Sequence, residues 1–362
     1  MTASRLHVAV VAPPFYEVPP RSYGGVERVC GWLVDGLLAK GHRVTLVGAG
    51  EPRTRAHFVR TFTHPQPEDG PDVAGVEIVH TARAAAALAE LAPDVVHDHT
   101  RAGPLTAPGR AFAPTVVTSH TPLRGPEAAS DHLRALNPWL SLVAISDAQR
   151  RDAPHLRWAA TVHNGIPVDS SPFRADKDDF VLYLGRISAQ KGVHLAMDAA
   201  RAAGRPIVLA GCWTIPEERA YFEAEIRPRL ASDVTWLESV AGAEKEQLLS
   251  RAACLLFPIR WHEPFGLVVV EALACGTPVV ALRAGAAPEL LEDGVSGVLC
   301  GDPGELPAAV DRATRLDPAT CRRSAQRFDV SAMVAGYESV YRRALDGFRH
   351  TTSRTAPTNP SA

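Results

Sequence analysis

The chain has 362 residues, of which 46% are hydrophobic and 22% charged, and its formal net charge at pH 7 is −2. This is the composition of a globular protein rather than a disordered chain, and the near-neutral charge gives no reason to expect nucleic acid as a partner. At roughly 150 residues per domain, the length predicts two domains, each large enough to bury its own core.

The cysteines and the apolar runs of the sequence indicate the cellular compartment of the protein. The six cysteines are scattered without a CxxC pair, which predicts buried thiols of a reducing cytoplasm rather than disulfides or a zinc site. No apolar run approaches the roughly 18 residues of a membrane span, and the short run 6–12 meets two prolines. We therefore expect a cytoplasmic protein without a signal peptide or a spanning helix.

The first half of the chain alternates short β-branched runs with helical patterns, which is typical of a parallel sheet covered by helices on both faces. Its first predicted helix occupies residues 25–40 and ends at Gly41. The strands predicted in this half are 7–12, 44–48, 95–97, 116–119, 143–146 and 161–163.

The second half repeats this alternation. Its predicted strands are 180–184, 207–210, 234–237, 254–257 and 279–282, and the helices between them include 193–203, 217–230 and 244–253. The sequence thus predicts an α/β fold of two doubly wound domains.

The predicted domains are residues 1–168 and 180–330, joined by a polar linker at 169–179. A last helix is predicted over 331–349, and the tail 350–362 lacks a core-forming pattern, so we expect it to be disordered. Because ligands of open α/β sheets gather beyond the carboxyl ends of the strands, we expect the ligand in the cleft between the two domains.

Segment 262–280, HEPFGLVVVEALACGTPVV, holds two carboxylates, Glu263 and Glu271, in an otherwise mostly apolar run. A carboxylate in a buried helix is costly unless it is hydrogen-bonded, and the diol of a sugar or ribose offers two O–H donors. The helix start also favours an anionic phosphate. If the helix started early, a rise of ~1.5 Å per residue would place the carboxylates roughly 12 Å apart. The alternative is that both are ordinary solvated carboxylates.

Two loops add candidates for binding a phosphate. Arg186 and Lys191 lie in the loop GRISAQKG after a predicted strand, where two cations suit a diphosphate leaving group. Gly24 and Gly25 precede the first helix, and paired glycines there let the backbone approach a phosphate or sugar closely. The alternatives are exposed surface cations and an ordinary turn.

Histidines 97, 99 and 120 stand at the ends of predicted strands. Successive residues of an extended segment point to opposite sides and no third ligand is evident, so VVHDHT does not predict a metal site. His120 borders the predicted cleft and is a catalytic candidate, the alternative being a structural histidine.

With GAAPELLEDGVSGVL at 285–299, segment 262–280 resembles the core of the retaining glycosyltransferases of family four. Other motifs agree in order: YGGVERV at 23–29, TSHT at 118–121, AIS at 144–146, HNGIPVD at 163–169 and LGRISAQKG at 184–192. The resemblance covers about residues 7–345. It implies the GT-B architecture of two facing Rossmann-like domains, with the last helix returning to the N-terminal domain.

The resemblance also implies roles for single residues. Arg186 and Lys191 would bind the diphosphate of the donor, and Glu271 its ribose hydroxyls. Glu263 would meet the donor hexose, and His120 would contact that hexose near its reacting face. The implied catalytic residues are His120, Arg186, Lys191 and Glu263, and the donor site adds Gly24, Gly25, Val240, Phe265, Gly266, Leu267 and Glu271.

The implied reaction is metal-independent transfer of a hexosyl group from a nucleotide diphosphate sugar to an acceptor hydroxyl, with no cofactor. Retention would follow from same-face attack, in which the departing phosphate oxygen accepts the acceptor proton. The chain has Glu238-Ser239-Val240 where the family usually has a glycine near the base. This leaves the base open between uridine and guanosine, with UDP favoured over GDP.

Tyr16, Tyr23, Arg28 and His99 would border the acceptor. We expect a small soluble acceptor, with peripheral membrane contact not favoured. A weak basic cluster of Arg53, Arg55, His57 and Arg60 could meet anionic lipid head groups. A nucleotide-sugar epimerase, a sugar phosphorylase and a non-catalytic sugar-nucleotide-binding protein are the alternative functions, and the sequence does not indicate an oligomeric state.

Overall fold

A computed structural model of the chain describes residues 5–21, 24–68, 70–109, 112–123 and 131–354. Within these residues two parallel sheets follow one another along the chain, and the predicted α/β class with two doubly wound domains is confirmed.

The N-terminal sheet has the strand order β3-β2-β1-β4-β5-β6-β7, and every neighbouring pair is parallel. Its strands are β1 (His7–Val11), β2 (Arg43–Ala49), β3 (His57–Phe62), β4 (Val95–Asp98), β5 (Thr115–Ser119), β6 (Leu140–Ala144) and β7 (Trp158–Thr161). The helices of this half are α1 (Gly25–Ala39), α2 (Val73–Leu91), α3 (Asp131–Leu136) and α4 (Asp147–Asp152).

The C-terminal sheet has the order β10-β9-β8-β11-β12-β13, again with parallel neighbours. Its strands are β8 (Val181–Leu184), β9 (Ile207–Ala210), β10 (Val234–Leu237), β11 (Cys254–Phe257), β12 (Val279–Leu282) and β13 (Gly297–Cys300). The helices are α5 (Val193–Ala202), α6 (Pro216–Tyr221), α7 (Gly242–Arg251), α8 (Leu267–Ala274), α9 (Ala287–Leu290), α10 (Leu306–Ala313), α11 (Pro318–Ala325) and α12 (Val330–Arg354).

Shorter helical turns complete the described elements. A π-helical turn at Phe222–Ile226 and a 3-10 turn at Arg227–Arg229 extend α6 over most of the predicted helix 217–230. The remaining 3-10 turns are Gly103–Gly109, Asn137–Trp139, Val168–Ser170, Ala189–Lys191, Pro303–Glu305 and Gln326–Phe328.

Each sheet separates two apolar layers, because successive strand residues point to opposite faces. In β11, Leu255 belongs to the core under α8, whereas Leu256 belongs to the core under α5 and α10. Both sheets have their first strand beside their fourth, and the chain order reverses there. Ligands of such sheets bind outside the carboxyl ends of these strands. The loops after β1, β4, β8 and β11 therefore define where a ligand is expected.

Three of the four outermost strands depart from the sequence prediction, whereas β10 has the predicted bounds 234–237. β3 and β13 were not predicted, and the strand predicted at 161–163 lies at Trp158–Thr161, where Leu142 of β6 pairs with Trp158. The edge strand β3 pairs on one side only and contains exposed residues, so it lacks a uniform apolar run, whereas β13 is a short strand that is buried along its whole length. Two members of the predicted basic cluster, His57 and Arg60, are exposed residues of the edge strand β3.

The last helix, α12, packs on the N-terminal sheet through an apolar stripe at helical spacing. The stripe consists of Met333, Val334, Tyr337, Val340, Tyr341 and Ala344. The helix continues to Arg354, so the disorder predicted from residue 350 is wrong for residues 350–354. No helix breaker occurs before Pro357, so the helix extends past its packed face. Residues 355–362 lie outside the described residues.

All six cysteines are free thiols; Cys212 is half-buried and the others are buried. In the described part of the chain, no helix has both the length and the apolar character needed to cross a membrane.

Candidate active site

A cleft of about 960 Å³ lies where the loops after β1, β4, β8 and β11 face one another. Every predicted site residue that the structure describes lines this cleft, and Tyr23 lies outside the described residues. These lining residues are Tyr16, Gly24, Gly25, Arg28, His99, His120, Arg186, Lys191, Val240, Glu263, Phe265, Gly266, Leu267 and Glu271.

The loop between β8 and α5 presents Arg186 and Lys191 to the cleft, and its backbone is fixed at both ends. Near its start, the hydroxyl of Tyr183 donates a 2.7 Å hydrogen bond to the carbonyl oxygen of Arg186. At its end, Gly192 has a φ of +71°, and an added Cβ would lie 2.2 Å from the carbonyl oxygen of Pro258. Only glycine fits there.

Arg186 is paired with Glu218 of α6, which the sequence analysis did not single out. Arg186 Nη1 lies 3.3 Å from Glu218 Oε1. The other carboxylate oxygen, Oε2, accepts hydrogen bonds from the backbone N–H and the hydroxyl of Thr214, at 2.9 and 3.2 Å. Glu218 therefore orients the guanidinium from outside the cleft lining.

Lys191 is paired with Glu263. Lys191 Nζ lies 2.5 Å from Glu263 Oε2, and the same oxygen accepts a 2.9 Å hydrogen bond from Trp261 Nε1. The ammonium also lies 4.8 Å from the centroid of the Trp261 ring, a distance suited to a cation–π contact. Trp261 thus contacts both candidate residues and was not predicted.

Helix α8 begins at Leu267, after Glu263 rather than before it. The separation of roughly 12 Å, which assumed one helix spanning both carboxylates, is therefore not supported by the helix bounds. The preceding residue, Gly266, has a φ of +100°, which bends the loop into the helix, and an added Cβ would lie 3.0 Å from Phe257. The free N–H groups of the first turn of α8 open beside the cleft.

Glu271 has a protein partner where the sequence suggested a ligand. Its side chain is 13% exposed, and its Oε1 lies 2.6 Å from Nζ of Lys245, on α7. The carboxylate is therefore not an ordinary solvated one. Lys245 also lines the cleft, so this pair adds a third cation to the same wall as Arg186 and Lys191.

The N-terminus of α1 faces the N-terminus of α8 across the cleft. A methyl group added at Gly25 would lie 3.4 Å from Cδ1 of Leu267, which shows how closely the two helix starts approach. Both helix N-termini carry a partial positive charge. This part of the cleft is therefore electropositive from two sides, and an anion is the ligand it suits best.

His99 and His120 meet at the bottom of the cleft. His99 Nδ1 lies 2.9 Å from His120 Nε2, and the rings are stacked with centroids 5.2 Å apart. Behind them, His97 is hydrogen-bonded to Thr118 Oγ1 at 2.8 Å and to Tyr341 of α12 at 2.7 Å. Burial lowers the pKa of His120 to about 4 and the pKa values of His97 and His99 well below 6.5. All three rings are therefore neutral near pH 7.

Among the described residues, no group of three or more His, Cys, Asp or Glu side chains is arranged to hold a metal ion.

The facing Rossmann-like domains and their shared cleft define the GT-B fold. Two family models match consecutive parts of the chain: Glycosyltransferase Family 4 over residues 23–170 and Glycosyl transferases group 1 over residues 169–326. The chain belongs to glycosyltransferase family four.

Several known relatives match over nearly the full length. The chain is 28% identical to glycogen synthase of Mycobacterium tuberculosis, over 94% of this chain and 96% of that protein. AviGT4, a glycosyltransferase involved in avilamycin A biosynthesis, is 27% identical with a TM-score of 0.73, over 94% of this chain and 98% of that one. Alr3699/HepE of Anabaena, solved with UDP and glucose, shares the fold at 20% identity and a TM-score of 0.73, over 94% and 100%.

Proposed function

We propose that the protein transfers a hexosyl group from a nucleotide diphosphate sugar to an acceptor hydroxyl with retention of anomeric configuration. The observation that carries the proposal is the convergence of Arg186 and Lys191 with the starts of α1 and α8 on one part of the cleft. Fixed positive charge of this kind stabilises a diphosphate as it gains negative charge on leaving.

The remaining candidate residues fit a donor extended through the same cleft. Glu271 keeps Oε2 for ribose hydroxyls while Oε1 holds Lys245. Glu263, held by Lys191 and Trp261, would accept hydrogen bonds from the hexose. His120 would contact the hexose near its reacting face from the opposite domain. In the same-face mechanism the departing phosphate oxygen takes the acceptor proton, and Arg186 and Lys191 would stabilise that oxygen until it does.

We further propose UDP rather than GDP as the nucleotide, no requirement for a metal, and a small soluble acceptor beside Tyr16, Tyr23, Arg28 and His99. The relative of the same fold from Anabaena was solved with UDP, which supports the first choice. The cations at the diphosphate position supply the positive charge that a metal supplies elsewhere. The free thiols favour a cytoplasmic reaction.

The test is UDP release and product formation from UDP-α-hexoses with a panel of small sugar and polyol acceptors. Lys191→Ala and Glu271→Ala should each lower kcat/KM by about 100-fold or more, as expected for single electrostatic contributions of this size. The exposed residues Lys40 and Glu246 provide matched controls, and Lys40→Ala and Glu246→Ala should keep wild-type turnover.

Product analysis by NMR separates the alternatives. Retention predicts an α-linked product from an α-linked donor, and a β-linked product would contradict it. Turnover of donor alone into another sugar nucleotide would indicate an epimerase, and sugar phosphate formed only on addition of phosphate would indicate a phosphorylase. Nucleotide binding without any turnover would indicate a non-catalytic protein. Full activity of a folded Glu271→Ala variant would remove this motif from the mechanism.

A further inference from the structure

The contact between His99 and His120 joins the wall of the cleft to a buried polar layer. His99 is 4% exposed, whereas His120 is half-buried. His120 Nε2 is engaged by His99 Nδ1, and within the described residues no group hydrogen-bonds the other ring nitrogen of His120, Nδ1. Nδ1 is therefore the nitrogen through which the His120 ring can hydrogen-bond a ligand.

The ring of His99 is held in place from behind. It stacks against His97, with ring centroids 4.1 Å apart. His97 in turn is fixed by Thr118 and by Tyr341, and Thr118 Oγ1 lies 2.9 Å from the hydroxyl of Tyr337. Through the two tyrosines, helix α12 supports the histidine layer, so His99 has little freedom to rotate away from His120.

One proton is shared between His99 Nδ1 and His120 Nε2, because both rings are neutral near pH 7. The position of this proton follows from the other nitrogen of His99. His99 Nε2 is buried and has no hydrogen-bond partner among the described groups. Among buried backbone groups, hydrogen-bond donors without a partner are rarer than acceptors without one. We apply the same preference to the imidazole ring, so Nε2 of His99 is the unprotonated nitrogen. The proton of His99 then resides on Nδ1.

We infer that His99 is a positioning residue that donates its Nδ1–H to His120 Nε2 and thereby fixes His120 in the tautomer with its proton on Nδ1. His120 then offers the cleft a hydrogen-bond donor, which suits a sugar hydroxyl oxygen as acceptor. The kinetic meaning of the inference rests on the proposed function, whereas the tautomer itself is a property of the free protein.

The first experiment measures the tautomer in the free wild-type protein by ¹⁵N NMR of labelled histidine side chains at pH 7.5. Signals of His120 are assigned by their loss in His120→Asn. We expect His120 to carry its proton on Nδ1 and to have an unprotonated Nε2. Protonation of His120 on Nε2 would overturn the inference, whether or not the protein transfers sugar.

The second experiment compares two substitutions of His99. His99→Phe keeps the ring but removes the hydrogen bond, and should lower kcat by about 10-fold, the equivalent of one hydrogen bond. His99→Asn places an amide N–H near the former Nδ1 and should restore most of kcat. The His120 signals should show a mixture of tautomers in His99→Phe and the Nδ1–H tautomer in His99→Asn.

Wild-type kcat and an unchanged His120 spectrum in folded His99→Phe would overturn the inference. Equal losses of kcat in both variants, with identical His120 spectra, would assign His99 a packing role only and would also overturn it. Absence of any sugar transfer by the wild-type protein would instead count against the proposed function and leave the NMR result to decide the inference.

Discussion

Glu27 is a buried acid at the third position of α1, where the helix opens onto the cleft. Glu27 is only 3% exposed, and its Oε2 would lie 3.2 Å from a methyl group added at Gly24. Burial raises the pKa of Glu27 from 4.5 to about 8. The carboxyl group is therefore protonated at neutral pH in the folded protein and ionised in the unfolded chain.

This shift predicts a pH-dependent stability. Between pH 4.5 and 8 the folded state holds one more proton at Glu27 than the unfolded state does, so the stabilisation present below pH 4.5 is lost as the pH rises to 8. Glu27→Gln keeps the neutral shape at every pH. From pH 5 to pH 8 the free energy of unfolding of the wild type should fall relative to the variant by on the order of 3 kcal/mol.

Urea unfolding at pH 5, 6.5 and 8 measures this difference. The control is Glu51→Gln, which changes an exposed carboxylate and should follow the wild type at all three pH values. Parallel pH profiles for the wild type and Glu27→Gln would show that Glu27 ionises normally in the folded protein.

At the level of single residues, the sequence predicted that Glu271 is shielded from water but not what holds it. The apolar neighbours of Glu271 lie in the same helix, so their effect is visible in the sequence. Lys245 lies 26 positions away on α7, and only the packing of α7 against α8 brings it within 2.6 Å. Glu218 was missed for the same reason, because its pairing with Arg186 is a tertiary contact. Trp261 lies only two positions from Glu263, but its contact with Lys191 also depends on the fold.

At the level of elements, the packing of α1 against α12 depends on a glycine. A methyl group added at Gly36 would lie 2.5 Å from Val334 Cγ2 and 3.1 Å from Val330 Cγ1. Both neighbours are β-branched and stiff, so they cannot move aside cheaply. Gly36 therefore allows the last helix to approach the N-terminal domain closely.

Gly36→Ala tests this contact because two effects oppose each other. Alanine in an unobstructed helix would stabilise by about 0.5–1 kcal/mol, whereas overpacking costs about 1–3 kcal/mol. We expect net destabilisation by about 1–2 kcal/mol in urea unfolding. Gly347→Ala in α12 is the matched control, since an added methyl group meets nothing within 4 Å, and it should be neutral or stabilising. Stabilisation by both substitutions would contradict the close packing.

Interior strands were predictable, whereas of the four edge strands only β10 was predicted at its observed bounds. β1 and β11 are buried on both faces, so their residues form apolar runs that the sequence reveals. β3 contains the exposed residues His57 and Arg60, because one of its sides faces solvent. Its position is determined by pairing with β2, which a local pattern cannot show.

In the whole molecule, contacts between the two halves determine the shape of the cleft. Glu289 of α9 accepts hydrogen bonds from the backbone N–H groups of Asp147 and Ala148 at the start of α4, at 2.9 and 3.1 Å. The same carboxylate is paired with His163 Nε2 at 2.6 Å. Burial alone would raise the pKa of Glu289, but these hydrogen bonds lower it. Glu289 therefore remains an anion that links the C-terminal half to the N-terminal half.

The location of the cleft could be predicted from the alternation of strands and helices, but the contact of Glu289 with the N-terminal half could not. Alternation of strands and helices predicted two parallel sheets, and ligands of such sheets lie beyond the carboxyl ends of their strands. The sequence showed Glu289 only as part of the motif GAAPELLEDGVSGVL and predicted no partner for it. Its partners are more than 120 positions away. Contacts between domains depend on how the domains face each other, and no local pattern carries that information.

Glu289→Ala should weaken donor binding without touching the proposed donor site. Loss of the link allows more orientations of the two halves, and the apparent Kd rises in proportion as the binding-competent fraction falls. We expect UDP to bind about 3- to 10-fold more weakly, equivalent to about one hydrogen bond. Calorimetry measures the Kd, and small-angle scattering should show a larger radius of gyration that UDP reduces. Glu292→Ala, an exposed neighbour, is the control. A folded Glu289→Ala protein with wild-type Kd and dimensions would show that the halves are held together without this carboxylate.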